Sequence, residues 1–135
     1  MKIISKYMAI VFLAGMLAGV CGCGNAGKEA KDEYSTLTGR WLRPDGGYIL
    51  EVKSVDSTGL MAAGYFNPRS INVAKAQASV ENTALKVFVE LRDVNYPGST
   101  YNLVYNPSAD RLIGTYYQAV EKRTFEVFFV RSEKP

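Results

Sequence analysis

In several stretches the chain alternates between apolar and polar residues, the period of a strand with one face buried. Leu85, Val87, Val89 and Leu91 alternate with Lys86, Phe88, Glu90 and Arg92, and Phe125, Val127 and Phe129 alternate with Thr124, Glu126 and Phe128. Runs of this kind, or short aromatic ones, recur over 39–43, 48–55, 60–66, 71–80, 85–92, 100–106, 111–118 and 123–131. Turn formers separate them, among them Pro44-Asp45-Gly46-Gly47, Asp56-Ser57-Thr58-Gly59 and Asn67-Pro68-Arg69-Ser70. Such residues supply the fixed or positive φ angles that tight turns need. The alanine-rich stretch 71–80 is also compatible with a partly helical segment. The pattern predicts an all-β domain, an eight-stranded antiparallel up-and-down barrel, with an open β-sandwich as the alternative. A barrel of that size is either filled by its own side chains or holds one small ligand.

The N-terminal end follows a different pattern. Lys2 and Lys6 precede an apolar run from Tyr7 to Val20, about 14 residues, the length of a signal-peptide core. As a helix that run rises only about 21 Å, short of the roughly 30 Å core of a bilayer. Small residues follow, and two cysteines compete as the processing site. Val20-Cys21-Gly22-Cys23 resembles the bacterial lipobox with Cys23 as its cysteine, whereas cleavage before Cys21 would put the β-branched Val20 in a small-residue pocket. The expected organisation is a lipoprotein signal peptide over 1–22, an acylated Cys23 with a flexible tether over 23–37, and a barrel domain over 38–133. A Cys21–Cys23 disulfide is the competing reading, and no other cysteine exists to partner either one. Several acyl chains on Cys23 would give stable attachment to a lipid bilayer. Gly24, not Asp, follows that cysteine, which resembles the signal that sends enteric lipoproteins to the outer membrane.

Removing Lys2 and Lys6 leaves 14 basic against 13 acidic residues, and the signs alternate along the chain. No basic stripe for nucleic acid is present. The chain has no histidine and no thiol beyond the two near the signal peptide. Serine–histidine and cysteine–histidine catalysis and histidine-based zinc sites are therefore excluded. No cofactor, catalytic group or metal site is expected, although Glu90 with Asp93 forms a nearby carboxylate pair.

An up-and-down topology sorts the turns. Those after residues 43, 66, 92 and 118 fall at one end, and the other three fall at the end that carries the tether. The distal end collects Asp45, Asn67, Arg69, Arg92, Asp93, Asn95, Tyr96, Tyr117 and Gln118 as candidate ligand-binding residues, since ligands of small barrels bind at the mouth. The chain has nine tyrosines. Tyr48, Tyr101, Tyr105 and Tyr116 are expected inward beside Leu50, Leu103 and Leu112, where their hydroxyls need partners. That suits a wet cavity or a filled barrel equally. On the opposite face, Phe88, Val104, Ile113, Phe128 and Val130 form an expected interface for a protein partner or a homodimer.

The first and last strands of such a meander pair antiparallel, which brings Arg131 within reach of the Trp41 indole. Thr38-Gly39-Arg40-Trp41 with a last-strand Arg131 resembles the calycin signature of lipocalins and avidins. The resemblance implies a barrel in which Trp41 and Arg131 have a structural role, a cation–π stack at the closed end. The runs RPDGGYILE, YFNPRSINV, VELRDVNYPGS and GTYYQA are similar to those of small bacterial lipoproteins, a likeness that implies an envelope address and no activity. The expected function is a membrane-anchored module holding a small molecule or glycan fragment at the barrel mouth. The alternative is a protein-interaction lipoprotein, a hydrolase inhibitor or envelope-assembly accessory. Lipidated barrels that inhibit lysozymes and proteases are similar, but the cysteine pairs of those inhibitors are not evident here. A barrel isomerase is a third, lesser expectation.

Overall fold

The computed structural model describes residues 32–132; the signal region, Cys23 and the tether up to residue 31 lie outside the described residues, as do 133–135. The described chain forms an antiparallel barrel that is nearly closed, with nine strands where eight were expected. They are β1 (Gly39–Arg43), β2 (Tyr48–Val55), β3 (Met61–Asn67), β4 (Arg69–Ile71), β5 (Val73–Glu81), β6 (Ala84–Asp93), β7 (Tyr96–Asn106), β8 (Arg111–Gln118) and β9 (Arg123–Ser132). Their order in the sheet is β4-β3-β2-β1-β9-β8-β7-β6-β5.

The extra strand arises where one continuous strand, with a turn before it, was expected. Pro68 folds the chain back so that Arg69, Ser70 and Ile71 pair with Asn67, Phe66 and Tyr65. Asn72 then leaves β4 and fastens to β6 instead. Its backbone N–H donates to Asp93 Oδ2 (2.8 Å), its Nδ2 donates to the Arg92 carbonyl (3.1 Å), and its own carbonyl accepts from the Arg92 N–H (3.1 Å). The alanine-rich stretch continues as β5 and is a strand, not a helix. At the other end of the seam, Leu60 bridges Gln77 and the Ala78 N–H donates to the Gly59 carbonyl at 2.7 Å. Between these two fastenings the β3–β4 edge runs beside β5 and β6 without a regular ladder.

Strand parity sets the interior. Trp41, Leu50, Val89, Leu91, Tyr101, Leu112 and Phe129 are 0 % exposed, so neither solvent nor a water-sized void reaches them. The middle of the barrel is solid. This resolves the choice between a filled and a hollow barrel for the central layers. The core also begins before the first strand. A helical turn over 32–35 leads into it, with Tyr34 and Leu37 buried. The final residues of the expected tether are thus part of the domain.

The end that receives this segment is plugged. Arg131 lies over Trp41, 4.1 Å from guanidinium carbon to ring centroid. It donates through Nε and Nη2 to the two carboxylate oxygens of Asp110 (2.7 and 3.0 Å) and through Nη1 and Nη2 to the carbonyls of Thr38 and Thr36 (3.0 and 2.8 Å). Trp41 Nε1 donates to the Leu37 carbonyl at 2.9 Å, and Tyr105 donates to Asp110 at 3.0 Å while meeting the indole edge-on. A planar fork that is stacked and bidentate at once is a task for Arg, not Lys.

The bonds from Arg131, and secondarily from Tyr105, hold the Asp110 carboxyl below the ordinary carboxylate range. A group whose native pKa is depressed contributes stability that is complete above its unfolded value, about 3.9, and is lost as pH falls through the native one. Asp110→Asn is therefore expected to be less stable than the parent at neutral pH and to lose less on acidification, as read by urea unfolding at a series of pH values. Arg131→Lys should lose about 1–3 kcal/mol, because an ammonium cannot reproduce the fork over the ring.

Candidate functional site

The opposite end carries a different polar cluster. Because Trp41 points inward, so does Arg43 two residues on. Arg43 and Ser99 are the buried polar residues among those described, at 8 % and 0 % exposure. The guanidinium lies over two phenol rings, 4.6 Å from the Tyr48 centroid and 5.2 Å from that of Tyr116. Its Nη1 donates to the Tyr101 hydroxyl at 3.0 Å, and its other edge meets the Asp45 carboxylate, Nε to Oδ1 at 2.7 Å and Nη2 to Oδ2 at 2.9 Å. Tyr101 shares a hydrogen bond of 2.7 Å with Tyr65 and stacks on Tyr116 at 4.5 Å. Tyr48 stacks on Tyr65, and Tyr96 meets Tyr65 edge-on. Burial works against the charge on Arg43, but the bonds to Asp45 and Tyr101 outweigh it and raise its pKa above the ordinary value. The cation is permanent.

The candidate mouth residues fare unevenly. Asp45 is engaged with Arg43, and Asn67 Nδ2 donates to the Tyr96 hydroxyl at 2.6 Å. These three expected residues, Asp45, Asn67 and Tyr96, belong to one aromatic end. Arg69 is exposed at the start of β4 and acts electrostatically on Asp93. Asp93 is bonded to the backbone N–H groups of Asn72 and Val94, which keep its carboxyl below the ordinary range; it closes the seam and shapes its own turn. Asn95 adopts φ 68°, a turn role. Gln118 accepts from the Glu121 N–H at 2.8 Å. Two expectations need correction. Tyr117 follows the inward Tyr116 and so points outward, and Arg92 is exposed beside Glu90, to which it donates at 3.0 Å. Glu90 is thus engaged with Arg92, and Asp93 with the backbone N–H groups of Asn72 and Val94, so the two carboxylates have separate partners.

Sequence reasoning missed Arg43 and Tyr65 as parts of this end. The signal for Arg43 was parity with Trp41. The signal for Tyr65 was its pairing with the inward Leu50.

The outer wall carries the second candidate. Val104, Ile113 and Phe128 lie in register across β7, β8 and β9 and are 39 %, 42 % and 40 % exposed. Val130 adjoins them on β9 and is half-buried, as is Phe88 on β6. Arg111 lies over the Phe128 ring at 5.1 Å, and a shallow groove runs between Arg111, Ile113, Glu126 and Phe128. From Val130 the apolar row continues to Leu42 and Ile49. No group of three or more potential metal ligands occurs among the described residues.

Burial first, then neighbouring phenols, pushes the Tyr65 hydroxyl well above the ordinary tyrosine range; Tyr101 and Tyr116 are raised too, again chiefly by burial. A raised native pKa contributes stability that is present below the unfolded value, about 10, and is lost as pH rises toward the native one. Ultraviolet titration is expected to show a set of tyrosines that ionise only as the fold is lost. Tyr101→Phe should destabilise by about 1–3 kcal/mol, since it removes the acceptor of Arg43 Nη1 and the partner of Tyr65.

No family model, curated protein or solved structure matches the chain.

Proposed function

We propose that the chain is a lipid-anchored envelope protein whose barrel is a binding module, with its ligand at the aromatic end that contains Arg43. The observation that carries this reading is the position of Arg43. It is a buried cation caged by tyrosines, at the end of the barrel remote from the incoming N-terminal segment. Small-molecule sites combine apolar and aromatic walls with a few placed polar groups. With the central layers solid, the ligand is a small one seated at the mouth. Attachment through Cys23 would turn this mouth away from the membrane, and Gly24 favours the outer membrane. The Arg131–Trp41 stack supports kinship with calycin barrels, and the missing histidine supports binding over catalysis.

The test is native mass spectrometry of the full lipoprotein, extracted in mild detergent from its own host. A small mass that survives gentle ionisation and leaves on denaturation is the expected result. A bare chain from several growth conditions would count against the reading.

The exposed row Val104–Ile113–Phe128 favours a second reading, docking of a protein partner or a second copy on the outer wall. A contiguous apolar patch on a soluble face commonly marks an interface. Phe128→Lys should leave the unfolding free energy within about 0.5 kcal/mol of the parent, as surface changes usually do, while removing dimers seen by analytical ultracentrifugation or cross-linking. Unfolding of this variant would make that face core.

A further inference from the structure

Arg43 is held by the barrel on three sides. Its guanidinium lies over the Tyr48 and Tyr116 rings, and the Tyr101 hydroxyl receives Nη1. The edge formed by Nε and Nη2 is left, and Asp45 fills it. Both oxygens of that carboxylate are engaged, a bidentate fork that any carboxylate can reproduce. Asp45 belongs to a different environment from its partner: its side chain is 57 % exposed, against 10 % for Arg43. It stands between a buried cation and water, on a turn outside the ladder. Gly46 and Gly47 follow it, with Gly47 at φ 70°, so the turn that carries the carboxylate contains residues of wide conformational freedom. A buried guanidinium needs an anion beside it, but nothing in the cage specifies that the anion belong to this chain.

The surrounding charges point the same way. Arg69 opens β4, Lys122 lies in the β8–β9 turn and Arg123 opens β9, so with Arg43 this end has four cations against Asp45, Asp93 and Glu121, while Arg92 and Glu90 pair with each other. With Asp45 turned outward, Arg43 would face its tyrosines and an end with a small cationic excess. Half-buried Tyr48 and Tyr96 offer ring surface to whatever follows the acid group.

We infer that the outward edge of Arg43 is a carboxylate-binding site that Asp45 occupies as an internal stand-in, and that its external ligand is a small aromatic carboxylic acid. The ligand's carboxylate takes the fork on Nε and Nη2, its ring lies among Tyr48, Tyr96 and Tyr116, and Asp45 swings into solvent. The inference rests on the mouth-binding reading and names its ligand class. Exchange of one carboxylate for another leaves the protonation and charge of Arg43 unchanged, so Asp45 acts as a competitor that sets the affinity.

The experiment uses the full lipoprotein in detergent, with sodium benzoate as probe and sodium acetate and inorganic phosphate as comparisons, followed by calorimetry and thermal unfolding. Asp45→Asn removes the competitor and is expected to bind benzoate about tenfold more tightly than the parent, with affinity falling as salt is added. Benzoate should raise the melting temperature of Asp45→Asn and leave that of the Arg43→Gln/Asp45→Asn double variant unchanged. Because Asp45→Asn keeps the turn and its size, a loss of stability that benzoate restores also supports the site. Benzoate binding that is no tighter in Asp45→Asn than in the parent overturns the inference, as does an equal response to phosphate. If native mass spectrometry finds a carried ligand while benzoate has no effect, the carboxylate site fails and the mouth reading stands. If neither is seen, both fail.

Discussion

Where the first strand meets the last, the guanidinium of Arg131 lies over Trp41, grips Asp110 from the β7–β8 turn, and takes the carbonyls of Thr36 and Thr38. One side chain thereby joins β1, β9, a distant turn and the segment leading into the sheet. Closure depends on it. A nine-stranded meander left flat would present two full edges and an apolar face to water. Curled by the β1–β9 pairing, it keeps only the partial seam where the β3–β4 edge meets β5 and β6. The single interior that results buries Trp41, Leu50, Tyr101 and Phe129 completely.

The two ends of the barrel use one device for different purposes. At each end an arginine lies on aromatic rings and holds a carboxylate by two nitrogens. Arg131 takes its carboxylate from a residue 21 positions away, so the bond ties separate hairpins together. Arg43 takes its carboxylate from two positions along its own turn, so that bond constrains almost nothing beyond the turn. A long-range ion pair that is part of a network belongs to the architecture. A local one, half in water, is the kind that can be exchanged without disturbing the fold. The same contrast separates the inner and outer faces of β7 to β9, where Tyr101 and Phe129 are fixed from all sides while Ile113 and Phe128 are touched from one.

Much of this was legible in the chain, and what was not has physical causes. The strict alternation of 85–92 and 123–129 marked β6 and β9, because each has a core face and a solvent face. The meeting of Trp41 with Arg131 followed from the pairing of first and last strands. The ninth strand was hidden because β4 is three residues long and owes its existence to a fold-back at Pro68 and to Asn72 bonding across the seam. Neither has a periodic signature. The turn over 32–35 was hidden for a similar reason: Tyr34 and Leu37 are isolated apolar residues in a polar stretch, and only the open end of a barrel gives them a place to go. At the mouth, types of residue suited to turns were easily found, but which of them converge depends on hydrogen bonds already made. Asp93, Asn95 and Gln118 serve their own loops. Arg43, an ordinary cation at a strand end by composition, is placed inward by the parity that Trp41 sets.

Most pairings in the sheet join consecutive strands through short turns and need only local encounters. The β1–β9 pairing joins positions as far apart as Trp41 and Arg131, so its loop-closure entropy is by far the largest. Until β9 is present, β1 has a free edge and neither Leu37 nor Trp41 has its final neighbours. A chain synthesised N-terminus first therefore cannot lock its barrel before its last strand is available. It stays pliant until nearly all of the sheet has been made, and then closes in a late, cooperative step. The stack that makes the finished domain rigid is also the contact that the chain lacks until its last strand arrives.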